Sequence, residues 1–155
     1  MKEEQLQIKY KVYQLSELSD EDKELIDESI YACYKAYSPY SHFSVGCAVR
    51  MDDGNIVLGA NQENIAYPSG LCAERTALFS CGMQDGNPVA LAICAEDEKR
   101  KPATAYPCGA CRQVMIEFEN KAGKEHNIKV MILRKDSSVL VFDSVKDLLP
   151  FSFDF

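Results

Sequence analysis

Helix-like and strand-like segments alternate along almost the whole chain, and few folds accommodate such an order. The first clear segment, residues 18–41, has apolar residues at helical spacing after a capping serine, Ser19, and an acidic first turn. Proline disfavours helical geometry in the residue before it, so Pro39 is predicted to end this helix. Helices interleaved with strands indicate a mixed sheet that helices cover on both faces.

The later segments keep this alternation. Residues 71–82 predict a helix that Gly82 ends, and residues 108–123 predict another that Pro107 opens. The predicted strands are residues 43–51, 55–61, 89–95, 128–134 and 138–143, and a short helix follows in the tail. We therefore predict an α/β fold, a three-layer α/β/α arrangement around a five-stranded mixed sheet. We place residues 19–155 in this single domain and residues 1–18 in an N-terminal extension.

The sequence has seven cysteines, an odd number that fits a closed set of disulfides poorly. Its first residues lack the apolar core of a secretory signal. The longest apolar run, residues 89–95, is far shorter than the ~20 residues that span a membrane. We therefore expect a cytoplasmic protein with no membrane partner, in a compartment where structural disulfides are rare. The net charge of −7 argues against a nucleic-acid polymer as partner.

Cys72, Cys108 and Cys111 stand where two of the predicted helices begin. Thiolates are preferred zinc ligands, and a catalytic zinc ion keeps three protein ligands and one position for water. Glu74 follows Cys72 by two residues and can carry protons without binding the metal. Cys-x-Glu followed by Pro-Cys-x-x-Cys is the pattern of zinc nucleobase deaminases. Arg75 is the cation best placed to offset the charge of three thiolates.

Two other interpretations of these cysteines remain open at this point. A structural zinc site would need a fourth ligand, and Cys81, the nearest spare thiol, is predicted to lie ~13 Å from Cys72 along the helix. A dithiol redox motif would explain Cys108 and Cys111 but would leave Glu74 without a role. The remaining cysteines are interpreted as buried apolar residues: Cys33, Cys47, Cys81 and Cys94.

Four stretches, SHFSVGCAV, NQENIAYPSGLCAERTAL, PCGACRQ and LLPFSF, resemble in this order the small homotetrameric cytidine deaminases. The resemblance runs from about residue 19 to the C-terminus and implies that family's five-stranded mixed sheet between helices. It implies one zinc ion per chain, bound by Cys72, Cys108 and Cys111. It also implies that Glu74 is the proton shuttle and that Arg75 donates hydrogen bonds to the ligand sulfurs.

The same resemblance implies the reaction, the assembly and the substrate contacts. The reaction is hydrolytic deamination of cytidine and deoxycytidine to uridine and deoxyuridine in pyrimidine salvage, and the assembly is a homotetramer. Asn61 and Glu63 are expected to bind the ribose hydroxyl, and Phe43 is expected to pack on the pyrimidine. The further expected substrate contacts are Ala73, and Tyr67 and Phe153 in the site of a neighbouring subunit.

Two alternative functions fit parts of this pattern. A relative that deaminates another aminopyrimidine nucleoside, such as blasticidin S, would use the same zinc chemistry. A non-catalytic zinc-binding or nucleoside-binding module belongs to a different class, and it would need neither Glu74 nor an open zinc position.

Overall fold

The computed structural model describes residues 1–153. Within that range the strands are β1 (Lys11–Gln14), β2 (Ser44–Met51), β3 (Ile56–Ala60), β4 (Pro88–Glu96), β5 (Pro102–Ala103), β6 (Lys129–Leu133) and β7 (Ser138–Phe142). The α-helices are α1 (Asp20–Cys33), α2 (Ala73–Cys81) and α3 (Gly109–Lys121). Short 3-10 turns occupy Leu15–Glu17, Tyr67–Ser69 and Val145–Leu148.

The sheet brings the ends of several strands to one edge. Its order is β1-β7-β6-β4-β2-β3, and β5 pairs with the end of β4. Since β2 runs antiparallel to both β3 and β4, these two strands point the same way. The carboxyl ends of β3 and β4 and the start of β2 therefore share one edge. α2 follows β3, and α3 follows β4 and β5, so both helices begin near that edge.

Helices cover both faces of the sheet. α2 and α3 pack on one face, where Leu78 and Met115 join a core with Leu91 of β4. α1 packs on the opposite face through Leu25 and Ile26. None of the helices within residues 1–153 is long and apolar enough to cross a membrane. The layers confirm the predicted α/β/α fold.

Two glycines allow helices to approach the sheet very closely. A Cβ on Gly59 of β3 would lie 2.4 Å from the backbone N of Ala77 and 2.5 Å from the carbonyl O of Ala73, both in α2. On the opposite face, a Cβ on Gly46 of β2 would lie 2.1 Å from the carbonyl O of Ser29 in α1. A side chain at either glycine would push the helix away from the sheet.

All the predicted strands are present, but the sheet is larger than the five strands predicted. β1 pairs antiparallel with β7, and β5 adds two residues beside the end of β4. β1 exposes three of its four residues and β5 has only two, so neither leaves a hydrophobic periodicity in the sequence. The sheet thus includes residues 11–14, while a domain boundary at residue 18 stays a prediction.

The first helix ends at Cys33 rather than at Pro39 as predicted. The chain beyond Cys33 pairs with the segment that follows β3. Tyr37 N donates to Asn61 O at 2.9 Å, and Glu63 N donates to Tyr37 O at 2.8 Å. These long-range bonds use backbone groups that a longer helix would need, so tertiary pairing ends the helix before the proline does.

Glu119 is a fully buried carboxylate that ties α3 to the segments before β6 and after β7. Its Oε2 accepts hydrogen bonds from Ile128 N at 2.7 Å and Val145 N at 2.9 Å. Its Oε1 accepts from Ser144 Oγ at 2.6 Å, and Lys146 Nζ lies 3.7 Å away. A buried donor that loses its acceptor costs about 1–3 kcal/mol, so this carboxylate satisfies groups that would otherwise destabilise the fold.

Glu119→Ala should therefore lower the melting temperature by about 5 °C or more, because it leaves two backbone N–H groups unpaired beside a cavity. Glu119→Gln keeps one acceptor oxygen and should lose less. Thermal unfolding at fixed protein and zinc concentrations measures both. Glu117→Ala, at an exposed position of the same helix, is the matched control. Equal melting temperatures for the two alanine variants would contradict this role.

Candidate metal centre and substrate pocket

Three thiols meet where α2 and α3 begin. Cys72 immediately precedes α2, Cys108 immediately precedes α3, and Cys111 lies in the first turn of α3. Their sulfurs lie within 4.8 Å of one another. Cys108 Sγ is 3.9 Å from Cys72 Sγ and 3.3 Å from Cys111 Sγ. Cys108 is exposed, Cys72 is half-buried and Cys111 is buried, so the group opens to solvent on one side.

Arg75 supplies positive charge to this group. Its Nη2 donates to Cys72 Sγ at 3.3 Å. Hydrogen bonds with Cys111 and with Arg75 lower the pKa of the Cys72 thiol to about 5, although burial opposes the shift. The hydrogen bond to Cys72 in turn raises the pKa of Arg75. The helix N-termini act in the same direction, since their dipoles favour thiolates. The surroundings therefore suit a group of negatively charged sulfurs.

The donor set fits a zinc ion. Zinc prefers thiolate ligands at about 2.3 Å, and the three sulfurs are close enough to share one ion. Within residues 1–153, no fourth His, Cys, Asp or Glu belongs to this group, so a bound ion would keep a position for water or substrate. Arg75 Nε is buried and finds no hydrogen-bond acceptor among the described residues, which places an unpaired donor close to the sulfurs.

Glu74 is a buried carboxyl next to the thiols. It lies in the first turn of α2 and is only 4% exposed. Burial raises the pKa of its carboxyl, and hydrogen bonds with its own backbone N–H and with Cys111 offset part of that effect. A buried carboxyl beside a metal-binding group, with no lysine or arginine salt bridge among the described ion pairs, is typical of a proton carrier.

A cavity of about 520 Å³ opens beside the thiols, a volume in the range of small-molecule sites. Cys72 and Arg75 line it on the metal side. Asn61, Glu63 and Tyr67, from the loop between β3 and α2, line it elsewhere. The structure therefore brings four of the residues predicted for this chain's own site around one cavity, together with Tyr67, whose expected contact in a neighbouring subunit stays a prediction.

Asn61 links the start of β2 to the end of β3. Its Oδ1 accepts from Val45 N at 2.8 Å, and its Nδ2 donates to Phe43 O at 3.0 Å. An amide has two N–H donors and two oxygen lone pairs, so each end of this side chain keeps capacity for a ligand. Asn61 thus shapes the wall of the cavity and can still bind a hydroxyl there.

Glu63 is held by the loop that follows α1. Its carboxylate accepts from Ser41 Oγ and from the backbone N atoms of Tyr40, at 3.0 Å, and Ser41, at 3.2 Å. The Ser41 hydroxyl is the largest of the effects that lower the pKa of this carboxyl. Glu63 is therefore a fixed carboxylate at neutral pH, and its remaining lone pairs can accept from a ligand hydroxyl.

The other predicted site residues are not among the described residues that line this cavity: Phe43, Ala73, Glu74, Cys108, Cys111 and Phe153. Phe43 is half-buried just before β2, and Ala73 is fully buried at the start of α2. Phe153 is 70% exposed, and its carbonyl accepts from Gln113 Nε2 at 2.9 Å. Its predicted contact lies in a neighbouring subunit. A position outside this chain's own cavity does not test that contact, which stays a prediction.

Several cavity residues escaped prediction: Tyr40, Ser41, Gln62, Asn64, Gly70 and Leu71. Tyr40 and Ser41 belong to a Ser-Pro-Tyr-Ser run that signals a turn. The ring of Tyr40 lies edge-on to that of Tyr67, with centroids 6.2 Å apart. Turn chemistry indicates a loop but not the surface that the loop covers. The hydrogen bonds to Glu63 bring this turn to the cavity.

Residues 19–124 match the model of a family described as the cytidine and deoxycytidylate deaminase zinc-binding region. The chain is 50% identical to a cytidine deaminase of Halalkalibacterium halodurans over 97 residues, which cover 61% of this chain and 69% of that protein. It is 48% identical to a cytidine deaminase of Sporosarcina psychrophila over 100 residues, 63% of this chain and 70% of that protein.

The fold also agrees with that of a solved relative. The crystal structure of cytidine deaminase from Burkholderia pseudomallei superimposes with a TM-score of 0.71 at 39% identity, covering 84% of this chain and 97% of that chain. The family match spans both helix entrances that carry the thiols and the loop that lines the cavity. The chain therefore belongs to the cytidine and deoxycytidylate deaminase family, and it carries that family's zinc-binding region.

Proposed function

We propose that this chain catalyses the zinc-dependent hydrolytic deamination of cytidine and deoxycytidine to uridine and deoxyuridine, a step of pyrimidine salvage. The observation that carries the proposal is a three-thiol group with a buried carboxyl, Glu74, beside a cavity that also holds the carboxylate of Glu63. The relatives are named cytidine deaminases, which favours cytidine over other aminopyrimidine nucleosides such as blasticidin S. A module that only binds would not require the proton carrier.

Cys72, Cys108 and Cys111 hold the zinc ion in this proposal. When bound, zinc supplies Lewis-acid activation of the attacking water near neutral pH. Three thiolates give a zinc centre a net negative charge, which weakens it as a Lewis acid. The hydrogen bond from Arg75 to Cys72 and the N-termini of α2 and α3 offset that charge.

Glu74 moves the protons. Hydrolytic deamination requires that a proton leave the attacking water and that protons reach the ring nitrogen N3 and the departing amino group. Glu74 lies two residues after the proposed ligand Cys72 and is hydrogen-bonded to a second proposed ligand, Cys111. It is also shielded from bulk water. Glu63, the other carboxylate near the cavity, is engaged by Ser41 and the backbone of Tyr40, which suits it to binding rather than proton transfer.

The remaining site residues bind the nucleoside. Asn61 and Glu63 bond the ribose 3′-hydroxyl, and Phe43 packs on the pyrimidine. Ala73 contacts the base from the start of α2. Asn61 and Glu63 lie in the loop between β3 and α2, and Cys72 ends that loop, so a nucleoside can reach the sugar contacts and the thiols at once.

We also propose that the chain is a homotetramer and that it works in the cytoplasm. Large apolar side chains are exposed near the cavity, with Ile65 81% and Tyr67 76% accessible, and such surface usually marks an interface. Tyr67 and Phe153 would then complete the sites of neighbouring subunits. All seven cysteines are free thiols, as in a reducing compartment.

Glu74→Gln and Cys108→Ser should separate proton transfer from metal binding. Glu74→Gln should keep one zinc per chain but lose about 10²–10⁴-fold in turnover, because an amide cannot relay a proton. Cys108→Ser should lose most of its zinc as well as its activity, because the ligand set is broken. Metal analysis and the loss of cytidine absorbance measure the two effects. Glu74→Gln within tenfold of wild type, or full zinc content in Cys108→Ser, would contradict these roles.

Substrate choice should reveal the sugar contacts. Cytidine and deoxycytidine both carry the 3′-hydroxyl and should be deaminated, whereas cytosine and 3′-deoxycytidine lack the hydroxyl that Asn61 and Glu63 would bind, a loss of ~1–3 kcal/mol per hydrogen-bonding group that the ligand covers. Cytidine monophosphate should also be poor, since its charge approaches Glu63. Values of kcat/KM for the five compounds measure this preference. In Glu63→Gln the ratio of kcat/KM for cytidine to kcat/KM for 3′-deoxycytidine should fall. An unchanged ratio would argue against a contact between Glu63 and the ribose.

Mixed oligomers should show whether Phe153 serves a neighbouring site. Phe153→Ala keeps the backbone carbonyl that Gln113 bonds, so its tail should remain anchored. When co-expressed with Glu74→Gln, it should form hybrid oligomers whose activity exceeds that of either variant alone. Native mass spectrometry measures the hybrids. Hybrids without any regained activity, or a fully active wild-type monomer in sedimentation, would contradict the shared site.

A further inference from the structure

Two cysteines that the metal centre does not use are in contact within the core. Cys33 is the last residue of α1, Cys94 lies in β4, and their sulfurs are 3.0 Å apart. Cys33 is 0% exposed and Cys94 is 3% exposed. A disulfide is ~2.05 Å long, so the sulfurs need to approach by only about 1 Å to bond.

The packing of α1 on the sheet produces this contact. Cys94 is the register partner of Gly46 in the β2–β4 ladder. A Cβ on Gly46 would lie 2.5 Å from Cys33 N, so the missing side chain is what lets the end of α1 rest on the strand. Cys94 Sγ lies 3.1 Å from Ser29 O, and Cys33 Sγ lies 3.8 Å from Ser44 O. Backbone groups therefore fix the positions of both sulfurs.

The two thiols are not equivalent. Their shared hydrogen bond lowers the pKa of Cys94, against the effect of burial. The same bond, reinforced by burial, raises the pKa of Cys33. Because the thiolate is the reactive form, Cys94 should react first and Cys33 second.

We propose that Cys33 and Cys94 form an oxidation site, at which hydrogen peroxide generates a disulfide between α1 and β4. The Cys94 sulfur attacks one peroxide oxygen, the O–O bond breaks, and Cys94 becomes a sulfenic acid. The Cys33 sulfur then attacks the Cys94 sulfur, so that the S–S bond forms as the S–O bond breaks. Two thiols and one peroxide give one disulfide and two waters. The thiols lose the two electrons that reduce the peroxide.

The surroundings of the pair select the oxidant and define the consequence. Hydrogen peroxide is little larger than water and can enter through small local openings of the fold. An oxidant that is itself a bulky disulfide molecule would require α1 to detach from the sheet before it could reach the thiols. The segment directly after Cys33 carries Tyr40 and Ser41, which line the substrate cavity. The disulfide would anchor the base of that loop to a central strand. It should also raise the melting temperature by about 5–10 °C, because it cross-links the unfolded chain.

Peptide mapping of the peroxide-treated zinc protein tests the site. The full chain is treated with a stepwise increase of hydrogen peroxide, denatured, alkylated and digested without reductant, while a chromogenic chelator reports zinc release. We expect a Cys33–Cys94 linked peptide that dithiothreitol reverses, at doses where Cys47 and Cys81 are still alkylated as thiols. If Cys33 and Cys94 stay as reduced as Cys47 at every dose, or if Cys94 reaches the sulfinic acid without a linked peptide, the proposal is wrong.

Two variants separate the roles of the thiols. In Cys33→Ser the second step is removed, so Cys94 should accumulate as a sulfenic acid that dimedone traps, with the linked peptide absent. Cys47→Ala, which removes another buried thiol, should give the linked peptide at the wild-type yield. Absence of the dimedone adduct in Cys33→Ser would overturn the assignment of Cys94 as the attacking sulfur. A tenfold lower yield of the linked peptide in Cys47→Ala would show that disulfide formation depends on Cys47, and it would overturn the proposal that Cys33 and Cys94 form the site by themselves.

Discussion

The backbone contact between α2 and β3 at Gly59 determines where the metal centre lies. Ala73, one residue after Cys72 and one before Glu74, places its carbonyl 2.5 Å from the point that a side chain on Gly59 would occupy. A larger residue at position 59 would lift the first turn of α2 off the sheet and draw Cys72 away from Cys108. The sheet topology is the second requirement for this metal centre. Because β3 and β4 run in the same direction, α2 and α3 both begin at the same edge of the sheet.

Three glutamates show how the surroundings of one residue type divide its roles. Glu119 is fully buried and its two oxygens accept from three donors, so it holds the fold together. Glu63 is also engaged by three donors, but it lines the cavity and keeps lone pairs for a ligand. Glu74 is buried beside the thiols, where burial raises its pKa and suits it to exchanging protons. Hydrogen-bond partners and burial, rather than the residue type, therefore determine whether a glutamate has a structural, a binding or a proton-transfer role.

Much of this arrangement could be predicted from the sequence, because its signals are local. The Cys-x-x-Cys spacing, the capping serine and the glycine that ends the second predicted helix each act within a few residues, and the corresponding helices are present. The missed features depend on distant contacts. α1 ends at Cys33 because Tyr37 pairs with Asn61, and β1 exists because β7 offers it an edge. The hydrogen bonds from Ser41 to Glu63 likewise join segments whose proximity no local pattern indicates.

The cysteines show the same difference between features that are local in the sequence and features that depend on distant contacts. Cys108 and Cys111 are three residues apart at a helix entrance, so their cooperation is visible in the sequence. Cys33 and Cys94 are as close in space, yet two strands, β2 and β3, and the helix α2 separate them in the chain. Their contact requires α1 to lie directly on Gly46, so it is a product of packing alone. The first group is open and surrounded by helix N-termini and Arg75, which favours metal binding by several thiolates. The second pair is enclosed by backbone carbonyls with no cation bonded to its sulfurs in the described residues, so bonding between the sulfurs is the chemistry left to it.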